Sequence, residues 1–383
     1  MISQAMWQEV DAVMRRYWHY NDEGKAYTPD TYTPFMAQYV RIDRTYRKKR
    51  NYETLVKEFR ETEKTAGKGN SDPFPMTAEA EDDAARAELR TLFRLEQELE
   101  QLCDPAGIKI PLWEPGNIPD MRKNPDLWVV CSDATASESL DPEDYIPNFV
   151  PYLLEGEGKR PVILVLAGGH RGNYTSGDPV CRYFNRIGCH AVLMGHRVGI
   201  QKLNFCLDLQ RAIRMLRFHT EEWNIDPEKI GAIGLSFGGV VITDYIEQMC
   251  FSDVPSQYDP AYREDAVDQM SGTLNAFLGI YTSSDPFLPR SKDLDYSQYP
   301  PVFLVLPGAD PMVDFQVGFL NDLIRHQVRA EAHLFDGGIH GFGLGDGAIV
   351  ANGKDGHIPA IALWPELARL WLIRIFGEWQ GKE

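Results

Sequence analysis

The sequence has few cysteines, no long hydrophobic run and a deficit of positive charge. Six cysteines occur in 383 residues, and none forms a C-x-x-C pair or another metal-ligand spacing. Neither a disulfide framework nor a metal site is therefore predicted, and no cofactor is expected. No stretch reaches the roughly 20 apolar residues of a membrane-spanning helix. Residues 1–16 contain Glu9 and Asp11 instead of the apolar core of a signal peptide. We therefore expect a cytoplasmic protein without membrane insertion.

The charge balance disfavours polyanionic partners. Lysine and arginine total 39 against 56 aspartates and glutamates, which gives a formal net charge of −17. Such an acidic surface repels nucleic acid and anionic membranes, so neither is expected as a partner. One basic run at residues 41–50 departs from this background. It is interpreted as a solvated helix face, or as a docking patch for an acidic partner or for the acidic body of the chain itself.

Two parts of the chain differ in their hydrophobic pattern. Residues 1–125 carry apolar residues at helical spacing, which predicts a helical N-terminal extension that caps the site or forms a homo-oligomer surface. In residues 126–383, strand-length apolar runs alternate with helical segments. This alternation predicts an α/β fold, with a mostly parallel sheet covered by helices on both faces. Residues 251–270 form a polar insertion, which is expected near the mouth of the site.

The predicted elements are short apolar runs and periodic segments within residues 126–383. Strands are expected at 127–131, 161–166, 190–194, 230–233, 276–281, 302–306 and 330–335. Helices are expected at 207–218, from 237 to about 249, between the last two strands, and at the C-terminus. In a parallel sheet, the residues that follow the strands meet at the carboxyl edge, and that edge is where the site is expected.

A serine lies at the tip of a glycine-bracketed turn between a predicted strand and a predicted helix. The segment Gly234-Leu235-Ser236-Phe237-Gly238 follows the apolar run 230–233. This G-x-S-x-G pattern is typical of a nucleophile elbow, in which a tight turn exposes a serine hydroxyl at the end of a sheet. The neighbouring residues must be small because the serine backbone is strained. Ser236 is therefore the candidate nucleophile.

A serine hydroxyl needs a base to accept its proton and an acid to orient that base. In the chain order typical of such elbows, both follow the serine. His340 lies in a glycine-rich segment after the predicted strand 330–335, and Asp310 follows the predicted strand 302–306. They are the candidate base and acid. Three other downstream side chains remain alternatives, namely His357 as the base and Asp285 or Asp314 as the acid.

A glycine-rich loop after the predicted strand 161–166 is the candidate oxyanion hole. Its small residues allow backbone N–H groups to face the negative oxygen that develops when a carbonyl is attacked. The expected donors are the N–H of Phe237, directly after the nucleophile, and an N–H from the loop residues Gly168, Gly169 and His170. The His170 side chain is interpreted either as loop packing or as a substrate contact.

Four segments in this order carry a resemblance to a known family: LAGGHRGN, GLSFGG, GADPMV and GGIHGFG. Residues 126–383 resemble the α/β-hydrolase superfamily. Within it they are similar to the esterase/lipase branch that includes hormone-sensitive-lipase-like and acetylxylan or feruloyl esterase-like enzymes. The resemblance implies an α/β-hydrolase fold and ester hydrolysis. Those relatives usually have HGGG or PGGG in the oxyanion loop, whereas this chain has Ala167-Gly168-Gly169-His170. Residues 1–125 match no part of the family.

The predicted function is a serine carboxylic-ester hydrolase that acts through an acyl-enzyme on small or medium esters. The resemblance alone extends this expectation to acetylated or feruloylated carbohydrates. A peptidase of the prolyl-oligopeptidase kind and an acyltransferase would use the same triad, but residues 1–125 are too short and too helical for the peptidase's propeller. A noncatalytic binding protein with the hydrolase fold is the alternative from another class. It is disfavoured because no triad member is missing.

Overall fold

The structure is a computed structural model that describes residues 109–120, 147–168, 174–197, 202–284, 296–338, 340–346 and 359–379. These residues form one eight-stranded sheet with the strands β1 (Ile110–Pro111), β2 (Asn148–Tyr152), β3 (Arg160–Leu166), β4 (His190–Gly195), β5 (Ile225–Leu235), β6 (Ala276–Ile280), β7 (Val302–Pro307) and β8 (Ala330–Phe335). Their order across the sheet is β1-β2-β4-β3-β5-β6-β7-β8. The strands β3 to β8 are parallel, whereas β2 is antiparallel to both β1 and β4.

Helices cover both faces of the sheet. Within the described residues the α-helices are α1 (Tyr174–Arg186), α2 (Lys202–Phe218), α3 (Phe237–Gln248), α4 (Val313–Arg325) and α5 (Trp364–Phe376). Side chains of α2, α3 and α4 form a core with one face, and side chains of α1 and α5 form a second core with the other face. The described residues therefore form a three-layer α/β architecture, as the sequence predicts.

The inner strands β3, β4 and β7 are almost continuously apolar because both of their faces are covered. In β3, Leu164 points into one core and Val165 into the other, and both are fully buried. A strand that is buried on both faces gains from apolar residues at odd and even positions alike. This explains why the runs at β3, β4 and β7 are continuous instead of alternating.

The expected strands from 161–166 onwards agree with β3 to β8 to within a few residues, except that β5 begins earlier, at Ile225. Sequence reasoning missed three elements. β1 has only two residues, β2 is interrupted by Pro151, and α1 contains Gly177 and Pro179, so none of them shows an ordinary strand or helix pattern. The strand expected at 127–131 and most of the N-terminal extension lie outside the described residues.

Residues 109–120 pack on the sheet, although the expected boundary at residue 125 assigned them to the extension. β1 pairs with β2, and the side chains of Leu112 and Trp113 are buried in the core formed with α2. The Trp113 Nε1–H donates to Asp208 Oδ1 at 2.7 Å. This segment therefore belongs to the body of the sheet.

The polar insertion at 251–270 lies along α2. It contains two short 3₁₀ helices, Pro255–Gln257 and Ala266–Gln269. Arg211 on α2 forms ion pairs with Asp265 and Asp268, at 2.5 and 3.1 Å. Charged residues of the insertion are therefore partnered by the helix beneath it. Its proximity to the mouth of the site stays a prediction.

Candidate active site

Ser236 lies between the last residue of β5 and the first residue of α3. Its φ and ψ are 54° and −122°, and a positive φ is unfavourable for a residue with a side chain. The flanking glycines are required by close approach. A Cβ on Gly234 would lie 2.2 Å from the Cα of Gly239, and a Cβ on Gly238 would lie 2.2 Å from the carbonyl oxygen of Leu166. Side chains at these positions would push α3 away from the sheet.

Three side chains that are distant in sequence form one hydrogen-bonded line at the carboxyl edge. Ser236 Oγ lies 2.6 Å from His340 Nε2, and His340 Nδ1 lies 2.8 Å from Asp310 Oδ2. The histidine and the aspartate are almost fully buried. The edge brings them together because β5, β6, β7 and β8 are neighbouring parallel strands, and the three residues follow β5, β7 and β8. This arrangement is the geometry that serine nucleophiles require.

The Asp310 carboxylate is held by three donors. Its Oδ1 accepts the backbone N–H of Met312 at 2.8 Å, and its Oδ2 accepts Gln316 Nε2–H at 2.8 Å as well as the histidine. Burial raises the pKa of this carboxyl, but the charge and hydrogen bond of His340 and the two other donors lower it further, so the net pKa lies below its usual value. Asp310 is therefore ionised at neutral pH.

The ionised aspartate decides which tautomer the histidine adopts. A carboxylate is only an acceptor, so His340 Nδ1 carries the proton and Nε2 presents a lone pair to the Ser236 hydroxyl. In this tautomer the histidine is able to accept the serine proton. The ring of Tyr281 packs against the imidazole in a T-shaped arrangement, with 5.0 Å between ring centroids.

The candidate oxyanion hole is described in part. A Cβ built on Gly168 would lie 3.2 Å from the Cβ of Ser236, so this end of the loop touches the nucleophile. Phe237 is the first residue of α3, directly after the serine. Gly169 and His170 lie outside the described residues, so their place in the oxyanion hole stays a prediction.

Of the three alternative side chains for the base and the acid, only Asp314 lies within the described residues. Asp314 is exposed on the first turn of α4, whereas the carboxylate against His340 belongs to Asp310. Asp285 and His357 lie outside the described residues.

His196 and Arg197, at the end of β4, are a buried polar pair. Arg197 forms an ion pair with Asp208 at 2.7 Å and also donates to the carbonyl of Pro119. His196 Nδ1 lies 2.8 Å from the carbonyl oxygen of Arg197, and burial lowers the pKa of its imidazole. The pair joins β4 to α2 and to the segment 109–120. These contacts of the two residues are therefore structural.

The described residues contain neither a metal-binding cluster nor a membrane-spanning helix. No group of three or more histidine, cysteine, aspartate or glutamate side chains among them is arranged to hold a metal ion. No helix in that part of the chain is long and apolar enough to cross a membrane.

Comparison with solved structures identifies the fold. The acetyl ester-xyloside bifunctional hydrolase from Caldicellulosiruptor lactoaceticus is 26% identical, with a TM-score of 0.56 over 71% of this chain and 97% of that chain. The carboxylesterase Cest-2923 from Lactobacillus plantarum is 21% identical, with a TM-score of 0.51 over 61% of this chain and 94% of that chain. The chain has the α/β-hydrolase fold. The first of these similarities also confirms the resemblance of the chain to the esterase branch.

One curated protein supplies a distant sequence relative. Endo-1,4-beta-xylanase B from Butyrivibrio fibrisolvens is 26% identical to this chain over 232 residues. The match covers 51% of this chain but only 35% of the xylanase, so the chain spans about a third of that relative's length. No family model matches the chain.

Sequence reasoning missed three residues that contact Ser236, His340 or Asp310. Gln316 donates to the carboxylate of Asp310, Tyr281 packs on His340, and the Thr282 hydroxyl donates to the carbonyl oxygen of Ser236. They occupy ordinary strand-end and helix positions and belong to no motif, so the sequence carries no signal for them.

Proposed function

We propose that this chain is a serine carboxylic-ester hydrolase that acts through an acyl-enzyme. The observation that carries the proposal is the buried hydrogen-bonded line from Ser236 Oγ through His340 to Asp310, with distances of 2.6 and 2.8 Å. A serine hydroxyl is a weak nucleophile unless a correctly protonated base accepts its proton. In this protein the tautomer of that base follows from the ionised aspartate.

In the proposed first half-reaction, Ser236 Oγ attacks the ester carbonyl while His340 Nε2 accepts its proton. The carbonyl oxygen becomes negative, and backbone N–H groups of Phe237 and of the Gly168–His170 loop stabilise it. Removing one such donor typically costs about 3 kcal/mol of barrier. The imidazolium then gives its proton to the departing alcohol, which leaves the acyl group on the serine.

In the second half-reaction, water replaces the alcohol. His340 Nε2 accepts a proton from the water as the water oxygen attacks the acyl carbonyl, and the same oxyanion donors are used again. The imidazolium then returns the proton to Ser236 Oγ as the bond between the acyl group and the serine breaks and the carboxylic acid leaves. Asp310 stabilises the imidazolium in both halves without accepting its proton. The low pKa of the aspartate supports this role, because the carboxyl stays ionised throughout.

The proposed substrates are small or medium esters, with acetylated or feruloylated carbohydrates among them. The similarity to an acetyl ester-xyloside hydrolase supports the carbohydrate class. The match to a xylanase agrees with it, although that match covers only part of the relative. The ester chemistry itself depends on the triad and not on these similarities.

Hydrolysis of 4-nitrophenyl acetate by the wild type, by Ser236→Ala and by Ser271→Ala tests the proposal. Ser271 is an exposed serine whose replacement controls for the change of residue type. We expect activity in the wild type and in Ser271→Ala, and a loss of at least about 10³-fold in Ser236→Ala. An inactive wild type would favour a noncatalytic binding protein.

Three further outcomes, in this assay and in parallel assays with peptide amides or an added alcohol, would redirect the proposal. Equal activity in Ser236→Ala and the wild type would remove this serine from the mechanism. A preference for peptide amides over esters would indicate a peptidase, and transfer of the acyl group to an added alcohol in place of water would indicate an acyltransferase.

A further inference from the structure

The end of β6 holds both backbone polar groups of Ser236. The serine N–H donates to the carbonyl oxygen of Ile280 at 3.0 Å, and the serine carbonyl oxygen accepts the Thr282 hydroxyl at 2.7 Å. Since β5 and β6 are adjacent parallel strands, both bonds cross from the nucleophile turn to the next strand. The peptide groups on either side of the serine are therefore fixed by β6.

This support acts on a strained residue. Ser236 has a φ of 54°. A residue with a side chain keeps such a conformation only where several contacts with the surrounding structure hold it in place. The serine carbonyl also accepts the N–H of Gly239 at 2.9 Å, which is part of the beginning of α3. The Thr282 hydroxyl gives the serine carbonyl oxygen a second kind of donor, a side chain from outside α3.

The Thr282 side chain is confined by close packing. A Cβ built on Gly239 would lie 2.4 Å from the threonine Cγ2, and one built on Gly279 would lie 2.8 Å from the same atom. The threonine is almost fully buried. Two glycines thus leave just enough space for its methyl group, and this packing directs the hydroxyl at the serine carbonyl.

The residue before this threonine touches the other partner of the proton transfer. Tyr281 has a φ of 42°, which is unusual for a bulky side chain. Its ring is buried and packs in T-shaped geometry against His340 and Phe342, with centroid distances of 5.0 and 4.6 Å. Its N–H donates to the carbonyl oxygen of Val305 on β7 at 2.9 Å, so the strained backbone is itself anchored.

We propose that Tyr281 and Thr282 are positioning residues that keep the Ser236 hydroxyl and the His340 imidazole at the distance and angle needed for proton transfer. One residue packs against the imidazole and the next binds the backbone of the serine, so a single turn of chain sets the distance across which the proton moves. This inference rests on the proposed function. Misplacement of reacting groups by a fraction of an ångström lowers the rate of the chemical step without weakening substrate binding in proportion.

Thr282→Val and Thr282→Ser form a matched pair, because valine keeps the shape and serine keeps the hydroxyl. For each variant we would measure kcat and KM for 4-nitrophenyl acetate, the rate at which a fluorophosphonate modifies Ser236, and the thermal midpoint. We expect the valine variant to lose about tenfold in kcat and in modification rate, with KM within about twofold. The serine variant is expected to retain activity to within about threefold.

Tyr281→Leu and Tyr281→Phe test the second contact. Phenylalanine keeps the ring and should stay within about twofold of the wild type, whereas leucine removes it and should lower kcat about tenfold at unchanged KM. A lower thermal midpoint with unchanged kcat in Thr282→Val and Tyr281→Leu would show a merely structural role and overturn the inference. So would a serine variant as impaired as the valine variant. A wild type that neither hydrolyses the ester nor reacts with the fluorophosphonate would overturn the proposed function and this inference together.

Discussion

Replacing Asp310 with asparagine is expected to leave His340 in the wrong tautomer, because of the donors around the carboxylate. The backbone N–H of Met312 donates to Oδ1 and is unable to rotate, so the asparagine must place its carbonyl oxygen there. Its NH₂ group then occupies the position of Oδ2, where it faces the histidine and the amide of Gln316.

The Gln316 side chain is able to accommodate the change. Its Oε1 is buried and has no hydrogen-bond partner in the described structure. Rotating the amide by 180° brings this oxygen onto one hydrogen of the new NH₂ group. The other hydrogen points at His340 Nδ1, which must then be an acceptor, so the proton moves to Nε2 and the imidazole no longer accepts the proton of Ser236.

The expected loss of activity follows from the changed tautomer of His340 and from the missing negative charge of Asp310. In a serine protease, the same replacement of the triad aspartate lowers kcat by about 10⁴. We expect a decrease of about 10³–10⁴ in kcat for 4-nitrophenyl acetate, which corresponds to about 4–5 kcal/mol. KM should change little, because the aspartate is almost fully buried and contacts His340.

The assay pairs steady-state kinetics with ¹⁵N NMR of the His340 ring. Asp314→Asn is the matched control, since this aspartate is exposed on α4 and should leave kcat within about twofold. A loss smaller than about 30-fold in Asp310→Asn, or a spectrum with the proton still on Nδ1, would refute the reasoning about the fixed backbone donor.

Three further predictions concern stability. Gly239→Ala should destabilise by about 1–3 kcal/mol, because its methyl would lie 2.4 Å from a threonine methyl carbon, whereas Gly318→Ala in open space on α4 should stabilise by up to about 1 kcal/mol. Asp208→Asn should cost about 3–5 kcal/mol, because the buried guanidinium of Arg197 loses its counter-ion. Burial lowers the pKa of His196, so its unfolded state binds more protons, and the free energy of unfolding should fall as the pH drops below about 6.5.

Each of these is checked by urea unfolding. Equal midpoints for the two glycine variants would contradict the packing argument. Replacing both Asp208 and Arg197 with apolar residues should recover part of the loss, and a double variant as unstable as Asp208→Asn would argue against an unpaired charge as the cause. Between about pH 7.5 and pH 5, His196→Gln should lose less stability than the wild type, and parallel losses would exclude this histidine as a source of the dependence.

Local patterns predicted much of the fold and the core of the candidate site. The continuous apolar runs at β3 and β7 follow from burial on both faces, which acts on every residue of the strand. Antiparallel β2 was missed because its five residues include a proline, and β1 was missed because two residues carry no period. Residues 109–120 were assigned to the N-terminal extension because the boundary with the α/β part was predicted from two patterns alone. These were the helical spacing of apolar residues before it and the strand-length apolar runs after it.

The strand–turn–helix around Ser236 was predictable from the residues alone, because the close approach of α3 to the sheet admits no Cβ at Gly234 or Gly238 and so requires glycines that are recognisable in the sequence. The order of the strands was not predictable in this way, and it is this order that brings the serine to His340, 104 residues away. The same is true of Gln316 and Thr282. A hydrogen bond from an ordinary side chain to a distant segment imposes no spacing and no periodicity on the residues near it, so only folding reveals which of many glutamines and threonines reaches the site.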